Sequence, residues 1–384
     1  MAAVVLGFAL LGVGCALAPA GAATPAAAGS ACHSTQCGLQ EAADSLVGSP
    51  SGPPGVIVVV QRGAAVTAVS AGVADLVTRR AITVDDEMRL ASVSKAFSGA
   101  AALALVSSGQ LALGDTIGMR LPHLPRRWWG VTLGELLGHT SGIPDFSQQP
   151  SFIDELLGSL LTPPPPVELL DSVECLPLLF PPGSSFAYSN SDNVIVGLMV
   201  EAVTGASYPS VLQSQVFGPM GLADTSLPTD ETIPSPFVHG YQIAPPGPAE
   251  DVSNLFAAGW TWAAGGVVST PADTTRFIRA YVAGRTIDPA TRRAQFHFVP
   301  GSSEPPGPGA NAAGLAIFRY TTRCGVVYGH TGNTAGYTQF AASNSTGSRS
   351  VTVSVNSQIT PKTDGPLFQQ LRDLYTLGVC AALS

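Results

Sequence analysis

The sequence predicts an α/β (α+β) protein: an antiparallel sheet flanked by helices, formed from N- and C-terminal segments, with an all-helical domain inserted between them. Three observations carry this reading. β-Branched runs lie near both ends of the chain, the long middle alternates short apolar helical segments with Pro-rich loops, and a helix closes the C-terminus. With 384 residues, 45% of them hydrophobic and 11% charged, the chain has ample material for a large core and is not of disordered composition. Its formal charge is −8, from 18 Lys and Arg against 26 Asp and Glu. No basic run and no basic stripe with interleaved aromatics occurs, so no nucleic-acid partner is expected. Lysine occurs only at Lys95 and Lys362, and Arg supplies all the other basic residues.

Taken in order, residues 1–23 read as a secretory signal peptide: residues 4–17 are apolar, and Ala20-Gly21-Ala22 is an A-x-A cleavage pattern. A lipoprotein acylated at Cys15 is the alternative, and Gly12 is a poor residue three places before it. The apolar run is short and broken by Gly, so no stable membrane insertion is expected and the protein is read as secreted to the extracellular, cell-wall space. Residues 24–38 read as a flexible leader. Residues 55–60 and 65–71, around Arg62-Gly63, form a predicted hairpin. Residues 92–111 carry an apolar helical pattern of about five turns. The helical domain covers residues 112–254, with segments at 133–137, 152–161 and 194–203. The sheet domain covers residues 39–111 and 255–384, with strands predicted at 265–269, 326–331, 337–342 and 350–355 and helices at 272–282 and 367–379. Asn344-Ser345-Thr346-Gly347 turns the last two strands.

Beyond the signal five cysteines remain, an odd number for an oxidising compartment. Cys324 with Cys380, and Cys32 with Cys37, are the expected pairs, and Cys175 is read as a buried thiol on an apolar helix. No Cys or His pair has zinc-ligand spacing and no H-E-x-x-H occurs, so neither a metal nor another cofactor is expected.

Three motifs carry chemistry. Ser92-Val93-Ser94-Lys95 is an S-x-x-K in the first turn of a predicted helix, where residues i and i+3 share a face and the hydroxyl meets the amine. Burial beside the positive end of a helix lowers an amine's pKa toward neutrality, which arginine cannot match. Tyr188-Ser189-Asn190 offers a phenol that shuttles protons and a carboxamide that binds an amide. The overlapping Ser191-Asp192-Asn193 spells a competing S-D-N, and the gap of 96 residues from Ser92 favours Tyr188. His330-Thr331-Gly332, followed by Asn333, ends a predicted strand. A strand edge beside a nucleophile supplies a backbone N–H to an oxyanion, and Gly332 lets substrate lie against it. The hydroxyl of Thr331 and the ring of His330 are candidates to bind a substrate carboxylate or help move a proton.

In this order and spacing the motifs resemble the serine β-lactamase and D-alanyl-D-alanine carboxypeptidase superfamily, in its class C-like branch. The sequence is more closely similar to secreted actinobacterial D,D-carboxypeptidases, which share S-x-x-K, Y-S-N and H-T-G. The similarity also runs through residues 136–143, 186–197, 262–270 and 328–337. It implies a β-lactamase/transpeptidase-like fold and an acyl-enzyme on Ser92, with Lys95 as the base or its partner and Tyr188 relaying the proton. It also implies Asn190 against the acyl side-chain amide, Trp262 lining the pocket, and the N–H groups of Ser92 and Asn333 as the oxyanion hole. His139 and Ser141, in H-T-S-G, would belong to a structural loop. The implied function is a monomeric, secreted serine-type D-alanyl-D-alanine carboxypeptidase/transpeptidase acting on peptidoglycan stem peptides and acylated by penicillins. A class C-like β-lactamase, esterase or D-aminopeptidase is the alternative, and a catalytically silent binding protein the third reading. One departure bears on substrate: Phe318 stands where those carboxypeptidases grip the terminal carboxylate with Arg, leaving Arg319 or Arg323 as substitutes.

Overall fold

The computed structural model describes residues 35–299, 302, 306–362 and 364–384. The signal peptide, Cys32 and most of the predicted leader lie outside them. Seven strands form one antiparallel sheet: β1 (Gly55–Arg62), β2 (Ala65–Gly72), β3 (Ala310–Gly314), β4 (Ile317–Thr322), β5 (Gly325–Thr334), β6 (Tyr337–Ser343) and β7 (Arg349–Val355). Their spatial order is β2-β1-β7-β6-β5-β4-β3, so the N-terminal hairpin pairs directly with the C-terminal strand. Val56, Val58 and Val60 register with Val355, Val353 and Val351. On the pleat these side chains share one face. That face packs with Phe340 against Leu39 of α1 (Thr35–Val47) and Leu371, Tyr375 and Val379 of α7 (Gly365–Leu383).

The intervening residues point the other way. Thr352 meets Thr275 of α6 (Pro271–Ala283), with their hydroxyls 2.8 Å apart. Behind α6 lies the central helix α2 (Ser94–Ser107), buried at every position from Ser94 to Leu103. A helix that is apolar or small all round belongs in an interior. Phe97 anchors it, stacked on Phe277 at 3.6 Å and edge-on to Phe217 at 5.9 Å. Around α2 pack α3 (Leu133–Leu137), α4 (Pro150–Gly158), α5 (Asn190–Thr204) and shorter turns.

Several expectations are revised. Residues 91–93 form a 3-10 turn, so α2 proper starts at Ser94, and it ends at Ser107, with Gly109 at φ +75° turning the chain before the expected end at residue 111. Residues 35–38, expected in a loose leader, open α1, and that helix together with β3 and β4 went unpredicted. The strand expected at 265–269 shrinks to Val268–Ser269, because Trp262–Gly265 makes a helical turn. Cys324 and Cys380 are bonded as expected, tying the β4–β5 turn to the end of α7. Cys37 is disulfide-bonded, and its expected partner Cys32 lies outside the described residues. Cys175 is a free, exposed thiol rather than a buried one: its helix, Asp171–Glu174, is only four residues long and buries Val173 instead.

Phe97→Ala is expected to cost about 3–5 kcal/mol, as other deletions of a buried aromatic ring do. Denaturant unfolding of the two proteins, compared at equal slope, checks this.

Candidate active site

Ser92 sits in the 3-10 turn that feeds α2, immediately after Ala91, whose φ of +48° is a left-handed conformation disfavoured for a residue with a Cβ. That turn lifts Ser92 to the mouth of a cavity while the helix carries Lys95 beneath it. Nζ of Lys95 donates to Ser92 Oγ at 3.1 Å, to Asn190 Oδ1 at 2.6 Å and to the carbonyl of Ala264 at 2.8 Å. Three donors meet three neutral acceptors, and no carboxylate touches the amine. Burial pulls its pKa down to about 7, although the charges of Asp145 and Asp192 oppose the shift.

Asn190 opens α5 and lines the cavity, yet its carboxamide is engaged within the protein. Oδ1 accepts from Lys95, and Nδ2 donates to Asp145 Oδ2 and Ser147 Oγ, both at 2.9 Å. Both N–H bonds are spoken for, so Asn190 is placed to hold Lys95 rather than to donate to a substrate amide. Tyr188 lines the cavity with its ring 4.9 Å from the Lys95 amine. Behind Tyr188 the ring of His139 lies 4.6 Å away. His139 adopts φ +53°, accepts from Ala187 N through its carbonyl, and has Nδ1 2.9 Å from Asp192 Oδ2. Ser141 donates to Asp192 Oδ1 at 2.5 Å. Burial drops the His139 ring to about 3 and raises Asp192, so H-T-S-G supplies a neutral buried brace under the Tyr188–Asn190 segment. It has no face on the cavity.

β5 forms the opposite wall. Gly332 passes so close to the Ser92 turn that a Cβ there would stand 2.2 Å from the Leu90 carbonyl and 3.2 Å from the backbone nitrogens of Ser92 and Val93. Only glycine permits that approach. Thr331, Gly332 and Asn333 line the cavity, and the Asn333 side chain donates to Thr338 Oγ1 and the Ile359 carbonyl, fixing the loop after β7. His330 does not reach the cavity. It is fully buried, edge-on to Phe318 at 5.1 Å, and burial lowers it to about 3. Its Nδ1 lies 2.5 Å from the Thr331 carbonyl, which only accepts, so the ring is the neutral Nδ1–H tautomer. A neutral ring behind the strand cannot bind a carboxylate by charge.

The cavity has a volume of about 340 Å³. One side is aromatic: Phe146 meets Phe152 at 4.8 Å and Phe152 meets Trp260 at 5.7 Å, with Leu156 and Phe256 beside them. Trp262, expected here, is buried elsewhere. At φ +35° it turns into the core against Tyr208, 4.9 Å between rings, and Trp260 takes its place. The other side comes from β5 and residues 358–362. Among the described lining residues Lys362 is the only charged side chain, a position that nothing in its local sequence announced. Phe318 is buried, and Arg319 lies over the Phe298 ring at 5.0 Å, away from the cavity. The sequence also missed Asp145, Ser147 and the aromatic side; the Asp145-Phe146-Ser147 turn, separated from H-T-S-G only by Ile143-Pro144, was the available signal.

The Beta-lactamase family profile matches residues 40–375. The chain belongs to that family. Among solved structures, a D-stereospecific amidohydrolase from Streptomyces sp. superposes with a TM-score of 0.76 at 26% identity, covering 88% of this chain and 98% of that one. Among curated relatives, a penicillin-binding protein of Bacillus subtilis (strain 168) is 25% identical over 246 residues, 59% of this chain and 52% of its own length. A D-aminopeptidase of Cereibacter sphaeroides (strain ATCC 17029 / ATH 2.4.9) is 29% identical over 213 residues, 53% of this chain and 39% of its own length. The chain thus spans about half or less of these two curated relatives.

If Lys95 takes the proton of Ser92, the neutral amine is the competent form, and burial makes that form prevail above pH ~7. Acylation by a chromogenic ester, followed by stopped flow, is expected to slow about tenfold per pH unit below that point. Lys95→Arg keeps the charge but puts there a group that cannot give up its proton near neutrality, and on that reading acylation is expected to slow about 10²–10⁴-fold.

Proposed function

We propose that the protein is a serine amidohydrolase that forms an acyl-enzyme on Ser92 from D-configured amides or peptides bearing a bulky apolar residue, and that penicillins acylate the same oxygen. The observation that carries this reading is the dehydrated Lys95 amine 3.1 Å from Ser92 Oγ. In the proposed step Oγ bonds to the carbonyl carbon as its proton passes to Lys95, directly or through Tyr188. The C–N bond then breaks, the leaving nitrogen takes that proton back, and water hydrolyses the ester by the reverse relay. The N–H groups of Ser92 and Asn333 are assigned to the oxyanion. The D-configuration is drawn from the likeness to a D-stereospecific amidohydrolase and a D-aminopeptidase.

The aromatic side of the cavity favours a large apolar acyl residue over alanine. Among the described lining residues no carboxylate offers a counter-charge to a free ammonium, and N-acylated donors match that lining better than an aminopeptidase's substrates. A finer reading, a secreted D-alanyl-D-alanine carboxypeptidase/transpeptidase on peptidoglycan stems, draws its support from Lys362, among the described lining residues the one cation where a terminal carboxylate needs a partner.

Full-length wild type and Ser92→Ala are compared with a fluorescent penicillin, N-acyl-D-Phe and N-acyl-D-Ala amides, and an N-acyl-D-Ala-D-Ala peptide. Wild type is expected to take the label and to favour D-Phe over D-Ala amide about tenfold or more in kcat/KM, while Ser92→Ala does neither. Absence of both label and turnover, or activity that survives in Ser92→Ala, overturns the proposal. Lys362→Ala is expected to abolish any preference for the free-carboxylate peptide over its C-terminal amide. An unchanged ratio removes the carboxypeptidase reading.

A further inference from the structure

We propose that Asp145 is a positioning residue for the Ser92 chemistry: by accepting from Nδ2 of Asn190 it fixes the carboxamide with Oδ1 toward Lys95 and sets the amine's environment. Asp145 precedes the 3-10 turn Phe146–Gln148, and capping that turn occupies only one of its oxygens. Oδ1 accepts from Ser147 N at 2.9 Å and from Ser147 Oγ at 2.8 Å. Oδ2 accepts from Asn190 Nδ2 at 2.9 Å, a contact the cap does not need. Ser147 Oγ accepts from the same Nδ2 at 2.9 Å, so Asp145 and Ser147 together hold both N–H bonds of the amide.

The consequence reaches Lys95 through one residue. A carboxamide turned over would present N–H bonds to an ammonium and lose its 2.6 Å contact. The acceptor-only carboxylate beyond Asn190 forbids that orientation. Its charge also favours the protonated amine, against the burial that disfavours it. The other groups facing Lys95 are Asp192, whose charge acts in the same sense, the imidazoles of His139 and His330, both held neutral by burial, and the Tyr188 ring. Asp145 itself faces Lys95, Asp192 and His139, and burial raises its carboxyl while its donors and Lys95 counter the rise.

The proposal rests on Lys95 as the base, but its test needs no substrate. Because the chain has two lysines, ¹³Cε-lysine labelling of the full-length protein gives two resonances, with Lys95→Arg assigning one and Lys362 serving as the reference. Asp145→Asn removes a charge and lets the amide turn, and both effects disfavour the ammonium. The Lys95 midpoint is expected to fall by about half a pH unit or more. The acylation rate is expected to fall about tenfold, with the acid limb of its pH profile following the new midpoint. An unmoved midpoint in folded Asp145→Asn overturns the proposal. Should that variant fail to fold, the Asn190 side-chain amide of wild type decides: slow exchange of both Nδ2 protons is expected, and exchange at the rate of exposed asparagines contradicts the lock. A midpoint that shifts in a protein that no penicillin or amide acylates leaves Asp145 in place and removes the acyl-enzyme reading instead.

Discussion

A lysine amine stripped of water governs the arrangement of everything near it. Lys95 lies on a helix with no solvent-facing side over its first three turns, so its amine cannot snorkel out and must satisfy its three donors inside the protein. Ser92, Asn190 and the Ala264 carbonyl are those acceptors, drawn from three separate segments. Desolvation outweighs the pull of Asp145 and Asp192, and the amine settles near neutrality. If either carboxylate touched Lys95 directly, the balance would tilt toward a permanent ion pair. Asn190 stands between Asp145 and Lys95, and Asp192 is engaged by His139 and Ser141 instead.

Backbone strain marks the same place. Among the described non-glycine residues with positive φ, Ala91 precedes Ser92, His139 braces Tyr188 and Trp262 opens the turn that brings Ala264 to Lys95. Each costs on the order of 1–3 kcal/mol, sustained by the packing around it. The large core about α2 supplies that packing, and the sheet contributes the second rigid wall through β5. Gly332 closes the distance between them.

What could be read from the sequence follows from how local each signal is. The hairpin of β1 and β2 and the strands β5 to β7 carry strong periodicity and appear where expected, and the helix behind Ser92 appears with both ends trimmed. β3, with its Ala-Asn-Ala-Ala-Gly run, has almost no strand propensity and takes its form from pairing with β4. Motif spacing brought Ser92, Lys95 and Tyr188 together, but it could not show which way Asn190's amide points, because that depends on Asp145 and Ser147, 45 and 43 residues away. Trp260 ends one 3-10 turn and Trp262, at φ +35°, begins the next helical turn, so the one lines the cavity and the other turns inward. Lys362 gained its meaning only when β7 and α7 delivered the loop between them to the cavity rim. The aromatic side is assembled from residues 146–156 and 256–260, a convergence that no local pattern records.

The central claim is that Ser92, activated by a neutral Lys95, is the acylated atom. Peptide mapping of the full-length protein after brief exposure to penicillin tests this directly. Trypsin cuts after Arg89 and Lys95 to release the peptide Leu-Ala-Ser-Val-Ser-Lys, in which fragmentation distinguishes Ser92 from Ser94. The account predicts one penicilloyl group per chain, on Ser92. No adduct, or an adduct on Ser94, Ser141 or any other residue, would contradict it.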